Sequence, residues 1–292
     1  MSDTGDNKLI KAIKDKGKTM EAEMSFFDHL EALRWHLIRA SIAIVIFTGI
    51  AFAYSEWVFD NIIMGPMNPK FFTYRMLCKL GDYLGRPGLC IEKIPGKIIN
   101  TEMAGQFTLT INSSLLIGIA LGVPYLLYEI WRFVSPALHD NERKSASGFV
   151  FYASFLFILG VLFGYYVVTP MSVSFLAGYQ ASTIIENTFT IDSYLSSVAT
   201  LTLATGLVFE LPIIVYVVSS LGILTSKTMR SGRRYAVVAI LIIAAVITPT
   251  PDALTMLVVC VPLFILYEVG IMVAAVVEKR KLKKESAELT KV

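Results

Sequence analysis

Val198 to Leu221 reads VATLTLATGLVFELPIIVYVVSSL, 24 residues with a single charge, Glu210. A helix of about 20 apolar residues crosses the ~30 Å hydrocarbon core of a bilayer. The stretch is long enough to span, and it holds its one acid two residues before Pro212, inside the apolar run. Outward from it, further apolar runs occupy about Leu37–Tyr54, Phe107–Ile130, Phe149–Val168, Tyr235–Pro249 and Thr255–Val277. Together they predict six membrane spans. The fifth is short, and Pro249, Pro251 and Asp252 separate it from the sixth, so this pair reads as a short hairpin.

Composition agrees. The chain has 292 residues, 55% hydrophobic and 17% charged, with a mean hydropathy of +0.63. A soluble domain carries about 25% charge. Its core also grows more slowly than its chain, so an apolar surplus of this size has no soluble interior to fill. A soluble enzyme is excluded, and the expected fold class is all-α and polytopic. The first 25 residues are polar and Lys-rich and the first apolar run is a full span, so no cleavable signal peptide is expected.

Charge distribution sets the orientation. Of 26 Lys and Arg, 20 lie before span one, between spans two and three, between spans four and five, or after span six. The other six lie between spans one and two, and none lies between spans three and four. Positive-inside bias places both termini in the cytoplasm. The chain divides into a charged tail at residues 1–24, a six-span core at 25–277 and a basic tail at 278–292. The core includes a long outer loop at about 55–106, rich in Gly and Pro and therefore in turns. Within that loop Cys78 and Cys90 are separated by 11 residues that include Pro87 and Gly88. In a disulfide-permissive compartment they either bridge or remain two buried thiols. Cys260, inside span six, reads as a small apolar filler.

Ser25 to Leu37 reads as an amphipathic cytoplasmic helix ahead of span one. Ser25 and Asp28 form its capping box, and Phe26, Leu30, Leu33 and Leu37 share a face. Polar groups inside the spans are costly and mark function or internal pairing. Glu210 is the sharpest case, with Pro212 freeing a backbone carbonyl nearby. It reads as a substrate contact or the wall of a water-filled concavity, or as an acid satisfied by Thr200, Thr202 and Thr205 of its own span or by neighbouring hydroxyls. Asp252 reads as the N-cap of span six, Glu268 as a snorkelling or Arg-paired acid, and Glu129 as an interfacial residue ending span two. Glu142 opens the helix after the first cytoplasmic loop. With Glu31 it makes an acidic surface that suits bidentate pairing with arginine, or the loop is simply solvated and ties span three. No HExxH, Walker sequence or GxGxxG is present, and the three histidines all flank the spans. The reading is therefore a non-enzyme with no cofactor, no metal and no nucleic-acid partner.

Four segments carry a resemblance. They are Ser25-Phe-Phe-Asp-His-Leu-Glu-Ala-Leu-Arg-Trp-His-Leu-Ile-Arg, Phe133-Val-Ser-Pro-Ala-Leu-His-Asp-Asn-Glu-Arg, Phe209-Glu-Leu-Pro and Thr248-Pro-Thr-Pro-Asp. In this order, within six spans, they resemble the TatC family, the multispanning core of the twin-arginine protein translocase. The resemblance covers residues 25 to about 277. It implies a concave six-helix bundle in the bacterial cytoplasmic (inner) membrane that receives twin-arginine signal peptides of folded cargo, with export driven by the proton-motive force. Its implied partners are a TatA-type single-span subunit, a TatB-type subunit in many systems, further copies of the receptor and membrane lipid. On this resemblance Glu142, Phe133, Pro136 and Arg34 match signal-binding positions. Glu210, followed by Pro212, matches the membrane-embedded glutamate, and Asp252 the outer-turn aspartate. The family motif carries Glu where this chain has Ala32, so either Glu31 takes that role in a shifted pose or Glu142 carries most of the recognition. The competing reading is a proton-coupled transporter or channel for a small polar solute, with Glu210 as the coupling acid. A third is a structural membrane scaffold without a ligand.

Overall fold

No proline or glycine interrupts the chain from Phe26 to Thr48, and it forms one 28-residue helix, α1, Phe26–Ala53. The amphipathic segment and span one are thus continuous rather than separate, because nothing between them breaks the hydrogen-bond ladder. The computed structural model describes residues 26–83, 85, 90–91, 94–134, 147–182, 184, 187–248 and 253–289. Ser25 and the tail at 1–24 lie outside them.

After α1 the chain makes short helical turns through Met67 and then helix α2, Phe72–Tyr83. Strand β1, Lys97–Ile99, precedes the long helix α3, Gly105–Val134. Helix α4, Ser147–Phe163, passes through a π-helical turn, Gly164–Val168, into α5, Thr169–Gly178. The third apolar helix therefore runs ten residues beyond the expected end at Val168. Pro170 sits in the first turn of α5, where its missing N–H costs little. Strand β2, Thr188–Thr190, pairs in parallel with β1 in the register Lys97–Thr188, Ile98–Phe189 and Ile99–Thr190. This two-stranded ladder is the one departure from an all-helical fold among the described residues, and alternation over three residues is too short to announce it.

Helix α6, Ile191–Val208, and α7, Leu211–Ser220, are the two halves of the span quoted first, broken at Phe209–Glu210. A short helix α8, Ser226–Ser231, leads to α9, Arg233–Ile247, and then to α10, Ala253–Leu289. Helix α10 continues unbroken past Val277, so the basic segment after residue 278 is helical through Leu289. Five helices are long and apolar enough to cross a membrane among the described residues: Leu30–Ala53, Gly105–Val134, Val150–Gly178, Ile191–Ser220 and Thr255–Lys283. The 15 residues of α9 rise only about 22 Å, less than a hydrocarbon core.

The exposed surface of these helices is apolar, with Val45, Ile46, Val246 and Ile265 all outward. In water this pattern would cause aggregation; in lipid it is the expected exterior. Internal packing then depends on close approach rather than on hydrophobic expulsion. Helix α1 lies against α3, α4 against α6, and α7 against α10. At Gly118 of α3, an added Cβ would lie 2.8 Å from the backbone nitrogen and 2.9 Å from the Cα of Thr48 on α1. Between α4 and the end of α6, a Cβ on Gly160 would lie 2.7 Å from Phe209 Cβ and 2.9 Å from Gly206 Cα.

The segment between α1 and α3 is tied down by tyrosine hydroxyls. Tyr165 donates to Ile62 O at 2.7 Å and Tyr194 to Ile63 O at 2.7 Å. The buried Tyr74 hydroxyl lies 2.8 Å from Pro66 O and 2.9 Å from Pro170 O, sharing one proton between them. Burial pushes that hydroxyl's pKa well above its ordinary value. Cys78 of α2 and Cys90 form a disulfide.

Because backbone atoms crowd Gly118, the neighbouring helix cannot yield as a flexible side chain would. Gly118→Leu is expected to abolish recovery of monodisperse protein in detergent. Gly49→Leu, where a side chain meets nothing within 4 Å, should leave size-exclusion profile and melting temperature unchanged.

Candidate functional site

Among the described residues two acids are buried in the helical bundle, and they are treated in opposite ways. The first is Glu129 of α3, 1% exposed. Its carboxylate accepts from Tyr125 Oη at 2.8 Å, one turn earlier on the same helix. Across the α1–α3 contact, Arg39 Nε donates to Oε1 at 3.2 Å, and His36 Nδ1 lies 2.5 Å from Oε2. At that distance the Nδ1 atom carries the proton, since two facing lone pairs would repel. The 3.0 Å approach of Arg39 Nη2 to the same nitrogen is then a contact without a hydrogen bond. The ring of Phe133 meets His36 edge to face, with centroids 6.0 Å apart.

Glu129, read from the sequence as an interfacial residue ending span two, is enclosed by protein on both sides of the α1–α3 contact. It is buried because three side chains replace its hydration, the arrangement a buried charge requires. Its signal was present but unread: Tyr125 and Glu129 are four apart on α3, and His36 and Arg39 three apart on α1. Each pair shares a helix face.

The second acid is Glu210. It is buried, and neither carboxylate oxygen has a partner among the described residues. Its backbone, with φ −75° and ψ −4°, closes the break between α6 and α7, and its carbonyl accepts from the N–H groups of Ile213 and Ile214. Pro212, buried in the first turn of α7, prevents α6 from continuing. Phe209 stacks on Phe163 with centroids 5.6 Å apart and holds the break against α4. The threonines of the same span do not serve the acid. Thr205 donates to Leu201 O at 2.6 Å, the buried Thr202 hydroxyl is itself unpartnered, and Thr200 faces outward.

The remaining expected residues divide by place. Glu31 and Arg34 are exposed on the first turns of α1 and do not reach the Glu129 cluster. Phe133 is half-buried at the end of α3, against His36. Pro136, Glu142 and Asp252 lie outside the described residues. Glu268 pairs with Arg233 Nη2 at 2.8 Å, between α10 and the start of α9. Among the described residues, one His/Cys/Asp/Glu group is close enough to suggest a metal: Cys78, Asp82 and Cys90. Its two sulfurs are already joined to each other, so it lacks the thiolates a metal would need.

A helix break with an unpartnered buried acid, and a span-one–span-two contact closed by ionic bonds, are found in a chain whose relatives are known. The family model for Sec-independent protein translocase protein (TatC) matches residues 28–262. The chain belongs to the TatC family. A TatC protein of Blattabacterium sp. subsp. Periplaneta americana is 35% identical over 90% of this chain and 100% of the relative. One from Deinococcus radiodurans is 34% identical, covering 87% of each. A crystal structure of the twin arginine translocase receptor TatC matches with a TM-score of 0.63 at 31% identity, over 86% of this chain and 99% of that one. As a TatC, the chain is a multi-pass membrane component of the Sec-independent protein translocase, a transport subunit and not an enzyme.

Removing the Glu129 carboxylate leaves Tyr125, Arg39 and His36 without their common acceptor. Arg39 is 41% exposed and can turn to solvent, which limits the damage to about 1–3 kcal/mol. Glu129→Ala should lower the melting temperature of the purified protein by several degrees. Glu129→Gln, which still accepts from Tyr125 and Arg39, should lower it less.

Proposed function

We propose that this chain is the receptor for twin-arginine signal peptides and the assembly platform on which the translocase forms. It serves export of folded proteins across the cytoplasmic membrane, driven by the proton-motive force. One observation carries the reading: Glu210 is buried at a helix break with no partner among the described residues. A polar group in hydrocarbon without a partner costs several kcal/mol. A site of that kind is completed from outside, by a polar side chain on another helix. Interhelical hydrogen bonds in membranes contribute about 0.6–2 kcal/mol each, enough to favour one docked helix without making it permanent. The likeness to a protein described as a twin-arginine translocase receptor supports the identity of the ligands.

In this reading α9 is the short fifth of six spans, both termini are cytoplasmic, and the six-span core runs over residues 25–277. The signal's paired arginines meet the inner ends of α1 and α3, where Phe133 and Arg34 lie, and pair with Glu142 of the following loop. Glu31 offers a second carboxylate on α1. A guanidinium makes a planar two-bond fork with a carboxylate, and an ammonium does not. The apolar part of the signal then lies along the bundle beside Glu210 and Pro212. A TatA-type single-span subunit, and a TatB-type subunit where one exists, supply the polar group that Glu210 lacks. Several copies of the receptor assemble, and Asp252 shapes the outer turn between the last two spans. The conduit for folded cargo involves those other subunits, since one bundle of this size encloses no such opening.

Binding of a labelled Arg-Arg signal peptide to the purified protein in nanodiscs tests the receptor role. A Lys-Lys peptide, or Glu142→Ala protein with the Arg-Arg peptide, should bind at least about tenfold more weakly, the loss of ~1.4 kcal/mol. Equal binding in all three, by protein that remains monodisperse, rejects the assignment of Glu142.

The platform role has a separate readout. Glu210→Ala should leave peptide affinity within about twofold while abolishing site-specific crosslinks between α7 and a single-span partner. Proton-coupled uptake of a small solute by this chain alone in liposomes would instead favour the transporter reading.

A further inference from the structure

A groove of about 520 Å³ runs between α4, α7 and α10. Its α10 wall is made by Val269, Val273, Val276 and Val277, and Arg280 continues the same face at helical spacing. Ile213 and Tyr216 of α7 close one side, and Leu156 and Tyr152 of α4 the other. From Val269 to Arg280 the helix rises about 16 Å. The groove is therefore an apolar trough three turns long that ends in one cation.

That cation is uncommitted. Arg280 is exposed, and no ion pair or hydrogen bond is found for it among the described residues. Its neighbours are engaged. Lys281 Nζ donates to Ser220 O at 2.5 Å, Glu278 accepts from the Ser226 hydroxyl at 2.7 Å, and Glu268 holds Arg233. Lys279 and Lys283 add further positive charge on the same turns. An apolar trough closed by a free guanidinium within a basic helix end fits an amphiphile with one anionic head. A peptide helix with paired arginines at this end would meet Arg280 as a like charge.

We propose that this groove is the seat of one anionic phospholipid, its acyl chain along Val269–Val277 and its phosphate on Arg280. Basic pockets between membrane helices bind such headgroups by the same combination of charge and burial. The assignment depends only on the polarity along α10, and it holds on whichever side of the membrane that end lies. It is independent of the receptor reading. A lipid in this position would brace α7, the half-span that follows Glu210, against α10.

Native mass spectrometry of delipidated protein in detergent tests this. The probes are dioleoylphosphatidylglycerol, dioleoylphosphatidylcholine with a neutral head, and sn-glycerol 3-phosphate without chains. One phosphatidylglycerol should be retained with about fivefold or greater preference over phosphatidylcholine, and glycerol phosphate should not be retained. Arg280→Gln should erase the preference and Arg280→Lys should keep most of it. Val273→Trp should lower phosphatidylglycerol retention although Arg280 is intact. Equal retention of the two lipids, an unchanged preference in Arg280→Gln, or retention of glycerol phosphate alone would overturn the proposal. The exposed Arg280 variants should stay monodisperse, and Arg280→Gln should still bind the signal peptide in the same detergent, which separates this result from the receptor question.

Discussion

Hydrocarbon offers no hydrogen bonds, so a charge inside the bundle must be answered by the protein or left as a demand on something else. Glu129 is answered three times, by Tyr125, Arg39 and His36. Two of those groups come from α1, so the acid fastens span one to span two at one level along their axes. Elsewhere the same two helices approach through Gly118 and Gly122, where bare backbone meets Thr48 and Ile44. Ionic bonds at one end and close glycine contact farther along fix both register and distance. Glu210 is answered by no side chain among the described residues. The contrast separates an acid that fastens two helices from one whose hydrogen bonds are left open.

The same constraint orders the segment between α1 and α3. Backbone carbonyls at Ile62, Ile63 and Pro66 lie where the chain leaves regular helix. Tyrosine hydroxyls from α2, from the π-helical turn and from α6 occupy them. Thr73 adds a bond to Tyr166 O. The aromatic rings that carry these hydroxyls are themselves the packing: Phe71 touches Tyr74, Tyr165 and Tyr166. One set of side chains thus fills space and satisfies backbone, so a Gly- and Pro-rich segment holds a defined course. The parallel pair Lys97–Ile99 with Thr188–Thr190 links this segment to the entry of α6.

Long apolar runs made the helices legible, because lipid imposes a length that a soluble core does not. Glu210 and Pro212 stood out for the same reason: a lone acid before a proline is conspicuous in 24 apolar residues. Boundaries were less legible. The absence of any break between Phe26 and Leu37 meant that the amphipathic segment had to join α1, yet a change of composition there reads as a boundary. The extension to Gly178 passes through a π-helical turn and Pro170, features that sequence alone reads as an end. Glu129 was missed because its partners lie about 90 residues away on α1. A single helix shows an acid near its end, and only the pairing of two helices shows that the acid is enclosed.

That pairing also bears on Ala32. The resembled motif carries an acid at this position, and Ala32 lies one turn before His36 on the same helix face. A carboxylate there would sit one turn from His36 and two turns from Arg39, the partners on α1 that Glu129 already uses. Both acids would then compete for His36 and Arg39, and like charges so close raise the cost of keeping either ionised. Here position 32 is alanine, and Glu129 on the opposing face of α3 has His36 and Arg39 to itself. That acid is buried, while Glu31 of α1 is exposed.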